Sequence, residues 1–195
     1  MLGTPGVLHT DKNGTTRMID LSTRLLNDRI ILCIGRVNEE LAESTVAQLL
    51  YLESADQNKP ITMLISGPGG SVAQGWSIIS TMNIIKCPVY TTVIGETASM
   101  SAVIAVSGEK GHRKVYPNAR IMLHSVSSGI EGKIQDMEIS MKETVVANDS
   151  IFNHLANCCN KSVEELKTAC NRDFWMSAQE SIDFGAMDVL AEKHL

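Results

Sequence analysis

Short apolar runs separated by helix-length segments limit the fold of this chain more than any other feature. Ile30-Ile-Leu-Cys-Ile34 and Ile61-Thr-Met-Leu-Ile65 read as buried strands, within strand expectations of 29–34, 61–65 and 88–94. Helical stretches are expected at about 39–55, 72–86 and 99–107, and strand-like pieces follow near 114–123. This alternation, with short Gly-containing connections, predicts an α/β fold with mostly parallel strands and right-handed crossovers. A long helix from Lys133 to about Asn157 follows. It carries Ile134, Met137, Met141 and Val145 on one stripe and Ile139 and Val146 off it, so it needs more than one partner surface. Ser162-Val-Glu-Glu165 and Ser177-Ala-Gln-Glu180 are capping boxes that start two later helices.

With 195 residues, 44% of them hydrophobic, the chain can bury a substantial core as one domain. A net charge of −5 with scattered Lys and Arg provides no basic field, which argues against nucleic acid as a partner. The first residues lack a basic stretch followed by an apolar run, and no segment reaches the ~18 apolar residues of a membrane span. The expected compartment is therefore cytoplasmic. Five cysteines (Cys33, Cys87, Cys158, Cys159 and Cys170) form an odd set without a CxxC pair, and they read as reduced thiols of core or partly buried positions. His9, His112, His154 and His194 are dispersed and show no close metal-ligand spacing.

Chemistry enters with three residues. Ser99 lies in Gly-Glu-Thr-Ala-Ser-Met-Ser-Ala (95–102), His124 ends Arg-Ile-Met-Leu-His (120–124), and Asp173 lies in Asn-Arg-Asp-Phe-Trp-Met (171–176). A serine hydroxyl is a weak nucleophile near neutral pH. It needs an imidazole to take its proton and a carboxylate to orient that imidazole. Ser99 precedes a small, apolar helical run, where unpaired backbone N–H groups favour negative charge. Upstream, Ser66-Gly-Pro-Gly-Gly-Ser71 reads as a turn whose glycines let backbone N–H groups approach a developing oxyanion. Taken singly, each residue has a plain structural alternative: a helix cap for Ser99, a core histidine for His124, and a turn residue paired with Arg172 for Asp173. The glycine turn lacks the Lys-Ser/Thr ending of a P-loop, which makes it a poor nucleotide cradle.

Over about Ile19 to Leu190 the sequence resembles the ClpP-type serine peptidases, the proteolytic subunits of Clp systems. The resemblance is carried by Asp20-Leu-Ser-Thr-Arg-Leu-Leu26, Pro68-Gly-Gly70, Ala98-Ser-Met100, Pro117-Asn-Ala-Arg120, Met122-Leu-His124 and Arg172-Asp173. It implies a ClpP/crotonase-like fold of repeated strand-helix units with a protruding handle helix, within a single peptidase domain, 19–195, whose handle spans about 125–157. Residues 1–18 would form a flexible axial gate segment. The resemblance further implies Ser99 as nucleophile, His124 as base and then acid, Asp173 as orienting carboxylate, and the backbone N–H groups of Gly70 and Met100 as the oxyanion hole. No metal or organic cofactor is implied, because ATP is used only by the partner ATPase. Implied partners are further copies in two stacked seven-subunit rings, with a second paralogous subunit left open, a Clp-type AAA+ unfoldase, and unfolded polypeptide substrates.

Several positions depart from the family pattern. Ser101 stands where glycine usually follows Ser-Met, Ser125-Val126 replaces Gln-Pro, and Ser66-Gly67 replaces Asn-Ser. Ser101 adds bulk beside the nucleophile. Thr62, Leu64 and Ile84 stand where aromatics commonly receive an unfoldase loop, which predicts weaker docking of that partner. Two other function classes stay open on sequence alone: a catalytically weak or latent ring subunit, and a crotonase-like acyl-CoA enzyme.

Overall fold

The structure, a computed structural model, describes residues 5–10 and 13–192; His194 and parts of the 1–18 leader lie outside them. Its centre is a seven-stranded sheet. Strands β3 (Ile30–Val37), β4 (Ile61–Gly70), β5 (Val89–Ala98), β6 (Arg113–Val115) and β9 (Val189–Leu190) run parallel in that spatial order. Strand β7 (Arg120–Leu123) also pairs in parallel with β5, beyond β6 along the chain, and β8 (Phe174–Ser177) pairs antiparallel with β7. Helices α2 (Glu39–Ala55), α3 (Val72–Ile84) and α4 (Met100–Val106) follow β3, β4 and β5 in turn. The strand-helix alternation of the sequence is thus the topology of the fold.

Side chains alternate across each strand, and the inward set builds the core. Ile31, Ile61, Met63, Ile65 and Val93 have no solvent exposure, and every residue of α4 is buried. Leu32, Ile34 and Ile94, on the other alternation, remain exposed. A parallel sheet is ordinarily covered on both faces, so this apolar row is an unusual surface for a chain on its own.

Two elements extend beyond the sequence expectation. The Ser66–Gly70 segment is not a free turn but the continuation of β4, bulged between Ile65 and Gly67 and paired through Arg36↔Gly69 and Val37↔Gly70. Likewise β5 runs past residue 94 to Ala98, directly into Ser99. Local glycine content argued for a turn, whereas pairing with β3 imposes extension. In the leader, β1 (Gly6–Thr10) and β2 (Thr16–Asp20) form an antiparallel hairpin, followed by α1 (Leu21–Asn27), whose N-cap Asp20 accepts the Thr23 N–H at 2.8 Å.

Helix α5 (Ile134–Cys159) has 26 residues and is therefore about 39 Å long. Its buried side chains, Ile151, Phe152, Leu155 and Cys159, all belong to the C-terminal half. Ile134, Ile139, Met141, Val145 and Val146 are exposed, so the N-terminal half projects with its apolar residues uncovered. Helices α6 (Val163–Ala169) and α7 (Ala178–Phe184) start with the two expected capping boxes, closed at both ends of each box.

His154 anchors the base of α5 to α4. Ser107 Oγ donates to the Val103 carbonyl at 2.7 Å and accepts from His154 Nε2 at 2.7 Å, while Trp76 meets the imidazole edge-on at 5.1 Å. Burial lowers the His154 pKa from its ordinary value of 6.5. The unfolded chain then binds the proton first as pH falls. The stabilisation is complete above about pH 6.5 and is lost as pH falls from there toward the folded-state pKa. Urea midpoints between pH 7.5 and 5.5 are expected to decline in the wild-type protein and to decline less in His154→Gln.

Candidate active site

The three candidate residues come together because β7 has two neighbours. Its parallel pairing with β5 sets Ala98 against Met122, and the Ser99 N–H donates to the Met122 carbonyl at 2.9 Å. Its antiparallel pairing with β8 sets Leu123 against Phe174, which brings Asp173 alongside His124. Ser99, His124 and Asp173 therefore project from the adjoining ends of three hydrogen-bonded strands. Residues far apart in sequence meet through one short strand.

Ser99 has φ 54° and ψ −129°, a left-handed conformation that a side-chain-bearing residue adopts at a cost of about 1–3 kcal/mol. It turns β5 sharply into α4 and directs Oγ to His124 Nε2, 2.8 Å away. That hydrogen bond lets the imidazole receive the hydroxyl proton. On its other side, His124 Nδ1 stands 3.6 Å from Asp173 Oδ1, beyond a direct hydrogen bond. The Asp173 side chain is 64% exposed, against 22% for His124, so the carboxylate has room to close the gap by a small rotation.

Beside Ser99, Gly69 (φ +87°) and Gly70 (φ +150°) bring the end of β4 against the first turn of α4. A Cβ on Gly69 would lie 2.5 Å from Ser99 Cβ and 2.9 Å from the Met100 nitrogen, and one on Gly70 would lie 2.2 Å from the Val37 carbonyl oxygen. Only glycine permits this approach. The expected oxyanion donors, Gly70 and Met100, thus border the same cleft as Ser99 and His124. Val72, Val103, Val126 and Ile151 supply its apolar wall. The Val126 N–H donates to Asn148 Oδ1 at 2.9 Å, which ties the segment after His124 to α5.

Ser101, read from the sequence as extra bulk, is 3% exposed, and its Oγ accepts the Gly69 N–H at 3.1 Å. Sequence reasoning missed this contact. The signal was present in the two departures at Gly67 and Ser101, since a Cβ on Gly67 would lie 3.1 Å from Ser101 Oγ.

Comparison with known proteins agrees with this architecture. Residues 12–194 match the Clp protease family. The chain belongs to the Clp protease family. It is 44% identical over 191 residues to an ATP-dependent Clp protease proteolytic subunit of Leuconostoc citreum (strain KM20), covering 97% of this chain and 95% of that protein. It is also 40% identical over 192 residues to proteins of the same description from Streptococcus agalactiae serotypes V and III, covering 97% of each partner in the alignment. Clp proteases are serine peptidases, and the chain is a peptidase subunit of this type. Among the described residues, no helix is long and apolar enough to cross a membrane.

Proposed function

We propose that the chain is a serine endopeptidase subunit with Ser99 as nucleophile, His124 as general base and acid, and Asp173 as the carboxylate that orients His124. The observation that carries this reading is the 2.8 Å contact between Ser99 Oγ and His124 Nε2 at the sharp turn into α4. In acylation, Ser99 Oγ bonds to the peptide carbonyl carbon and its proton passes to His124. The carbonyl oxygen becomes an oxyanion facing the Gly70 and Met100 N–H groups. The tetrahedral adduct then collapses: the C–N bond breaks, and His124 returns the proton to the leaving amine. Water, deprotonated by His124, hydrolyses the acyl-enzyme by the same steps. This sequence uses no metal or organic cofactor.

Asp173 acts through His124, by holding Nδ1–H and stabilising the imidazolium. Asp173→Asn is expected to reduce kcat for a short peptide by about 10³-fold, less than removal of the nucleophile, with KM nearly unchanged. Steady-state hydrolysis of a fluorogenic peptide checks this.

The two uncovered apolar surfaces support assembly. The sheet face with Leu32, Ile34 and Ile94 suits a side-by-side neighbour within a ring, and the projecting half of α5 suits contact between two rings, in line with two stacked heptamers. Substrates would be unfolded polypeptides delivered by an AAA+ ATPase, which alone uses ATP, with short peptides entering unaided, in the cytoplasm. Ile84 is exposed and Leu64 is nearly buried, so these two positions offer that ATPase an aliphatic surface, while Thr62 lies beside Tyr90, which stacks on His112. Pairing with a second paralogous subunit would supply what Leu64 and Ile84 lack.

The reading is tested by treating the purified oligomer with a serine-reactive fluorophosphonate and measuring intact mass and labelled peptides, with Ser99→Ala alongside. A single adduct on Ser99 is expected. An assembled oligomer without an adduct would replace this reading with that of a latent structural subunit.

A further inference from the structure

We propose that Ser101 is a positioning residue that locks the two backbone oxyanion donors to one another. The proposal rests on the serine-peptidase reading given above. The two donors belong to different elements: Gly70 ends β4, and Met100 opens α4. Their separation sets how well both N–H groups point at one developing charge, and misalignment of such donors weakens stabilisation of the tetrahedral adduct.

The β4 end is paired to β3 through Arg36↔Gly69 and Val37↔Gly70, and that pairing does not itself fix its position relative to α4. Gly69 and Gly70 are consecutive glycines at φ +87° and +150°, a backbone region without Cβ restraint. Ser101, in the first turn of α4 and one residue beyond Met100, reaches across to this segment. Its Oγ accepts the Gly69 N–H at 3.1 Å in a buried setting, where water cannot replace the lost partner. One side-chain bond therefore joins the helix turn that carries one donor to the peptide immediately preceding the other.

The two sequence departures near the site become one feature on this account. Clp-type peptidases usually carry serine at the position of Gly67 and glycine at that of Ser101, so here the hydroxyl stands on α4 rather than on β4. Gly67 leaves the space that Ser101 uses. A Cβ there would lie 3.1 Å from Ser101 Oγ and 2.0 Å from the Gly35 carbonyl oxygen.

The experiment compares full-chain oligomers of wild type, Ser101→Ala and Ser101→Cys. Its measures are kcat and KM on a fluorogenic peptide, the rate of fluorophosphonate labelling at Ser99, affinity for a peptide boronate, and assembly by sedimentation. The boronate is informative because its tetrahedral adduct occupies the oxyanion site, whereas KM reports ground-state binding. With the donors mis-aimed rather than removed, Ser101→Ala is expected to lower kcat and the labelling rate by about ten- to thirtyfold. Boronate affinity should fall in parallel while KM stays within twofold. Activity within twofold of wild type, or a change confined to KM, would overturn the proposal. If Ser101→Ala does not assemble, Ser101→Cys decides: its weak acceptor is expected to give an intermediate loss of kcat, and full activity would overturn the idea. A wild-type oligomer that does not label at Ser99 instead overturns the peptidase reading itself, an outcome separate from unchanged labelling in the Ser101 variants.

Discussion

Ser99→Ala is expected to lower kcat/KM for a short peptide by about 10⁵-fold and to leave the oligomer intact. Loss of the hydroxyl removes the acyl-enzyme route, and His124 then has no proton to accept from position 99. His124→Ala should cost nearly as much alone, and the double variant little more, because the pair works as a unit. This non-additivity separates a working nucleophile-base pair from two residues that each aid folding. Peptide hydrolysis by affinity-purified oligomers, with Ser99→Ala prepared in parallel to measure contaminating activity, provides the test. Additive losses in the double variant would refute the assignment.

The second large effect concerns stability. Arg113 is 3% exposed and forms a two-pronged pair with Asp188: Nη2 donates to Oδ1 at 2.6 Å and Nε to Oδ2 at 2.9 Å. Asp188 Oδ2 also accepts the Gly111 N–H at 2.7 Å and the Arg113 N–H at 3.0 Å, while Arg113 Nη1 reaches the carbonyls of Val106 and Cys158. This group joins β6, the entry to β9, the end of α4 and the base of α5. Asp188→Ala would leave a buried guanidinium without its counter-charge, a loss of about 3–5 kcal/mol. Burial raises the Asp188 pKa, but hydrogen bonding from Arg113, in both its side chain and backbone, together with its charge outweighs this and leaves the carboxyl below 3.8. The stabilisation is therefore present above about pH 3.8 and disappears as pH falls through the lower folded-state value. Denaturant melts should show the full difference between wild type and variant at pH 7 and a narrowing gap below pH 3.8. A difference below 1 kcal/mol at pH 7 would contradict this account.

The parts of the fold that were legible in the sequence are those where local pattern and tertiary placement agree. Ile30–Ile34 and Ile61–Ile65 are apolar enough to be strands anywhere, and the capping boxes at Ser162 and Ser177 act within four residues. The Ser66–Gly70 segment is different: this extension of β4 comes from pairing with Arg36 and Val37, which a glycine-rich stretch of sequence does not announce. The leader hairpin carries only a partial sequence signal: Asn13-Gly14, with Gly14 at φ +81°, is a favoured turn pair, but the Thr10↔Thr16 register leaves five residues between the strands rather than the two of a tight turn. Its strands are too polar and exposed to stand out by hydrophobic pattern. At the site, motifs indicated Ser99, His124 and Asp173, but the unequal spacings of 2.8 and 3.6 Å depend on side-chain orientation. Ser101 was read by size alone, because its partner lies 32 residues away across two elements.

The left-handed backbone at position 99 also sets durability against activity. A residue with a Cβ holds φ 54° under strain, and glycine does not. Ser99→Gly should release about 1–3 kcal/mol of that strain, partly offset by glycine's greater freedom in the unfolded chain, and melt a few degrees above the active enzyme. Ser99→Ala, which keeps the Cβ, should not. The backbone turn that aims the hydroxyl is thus held at the expense of the fold's own stability, and the chain that lasts longest on heating is one that cannot carry the reaction.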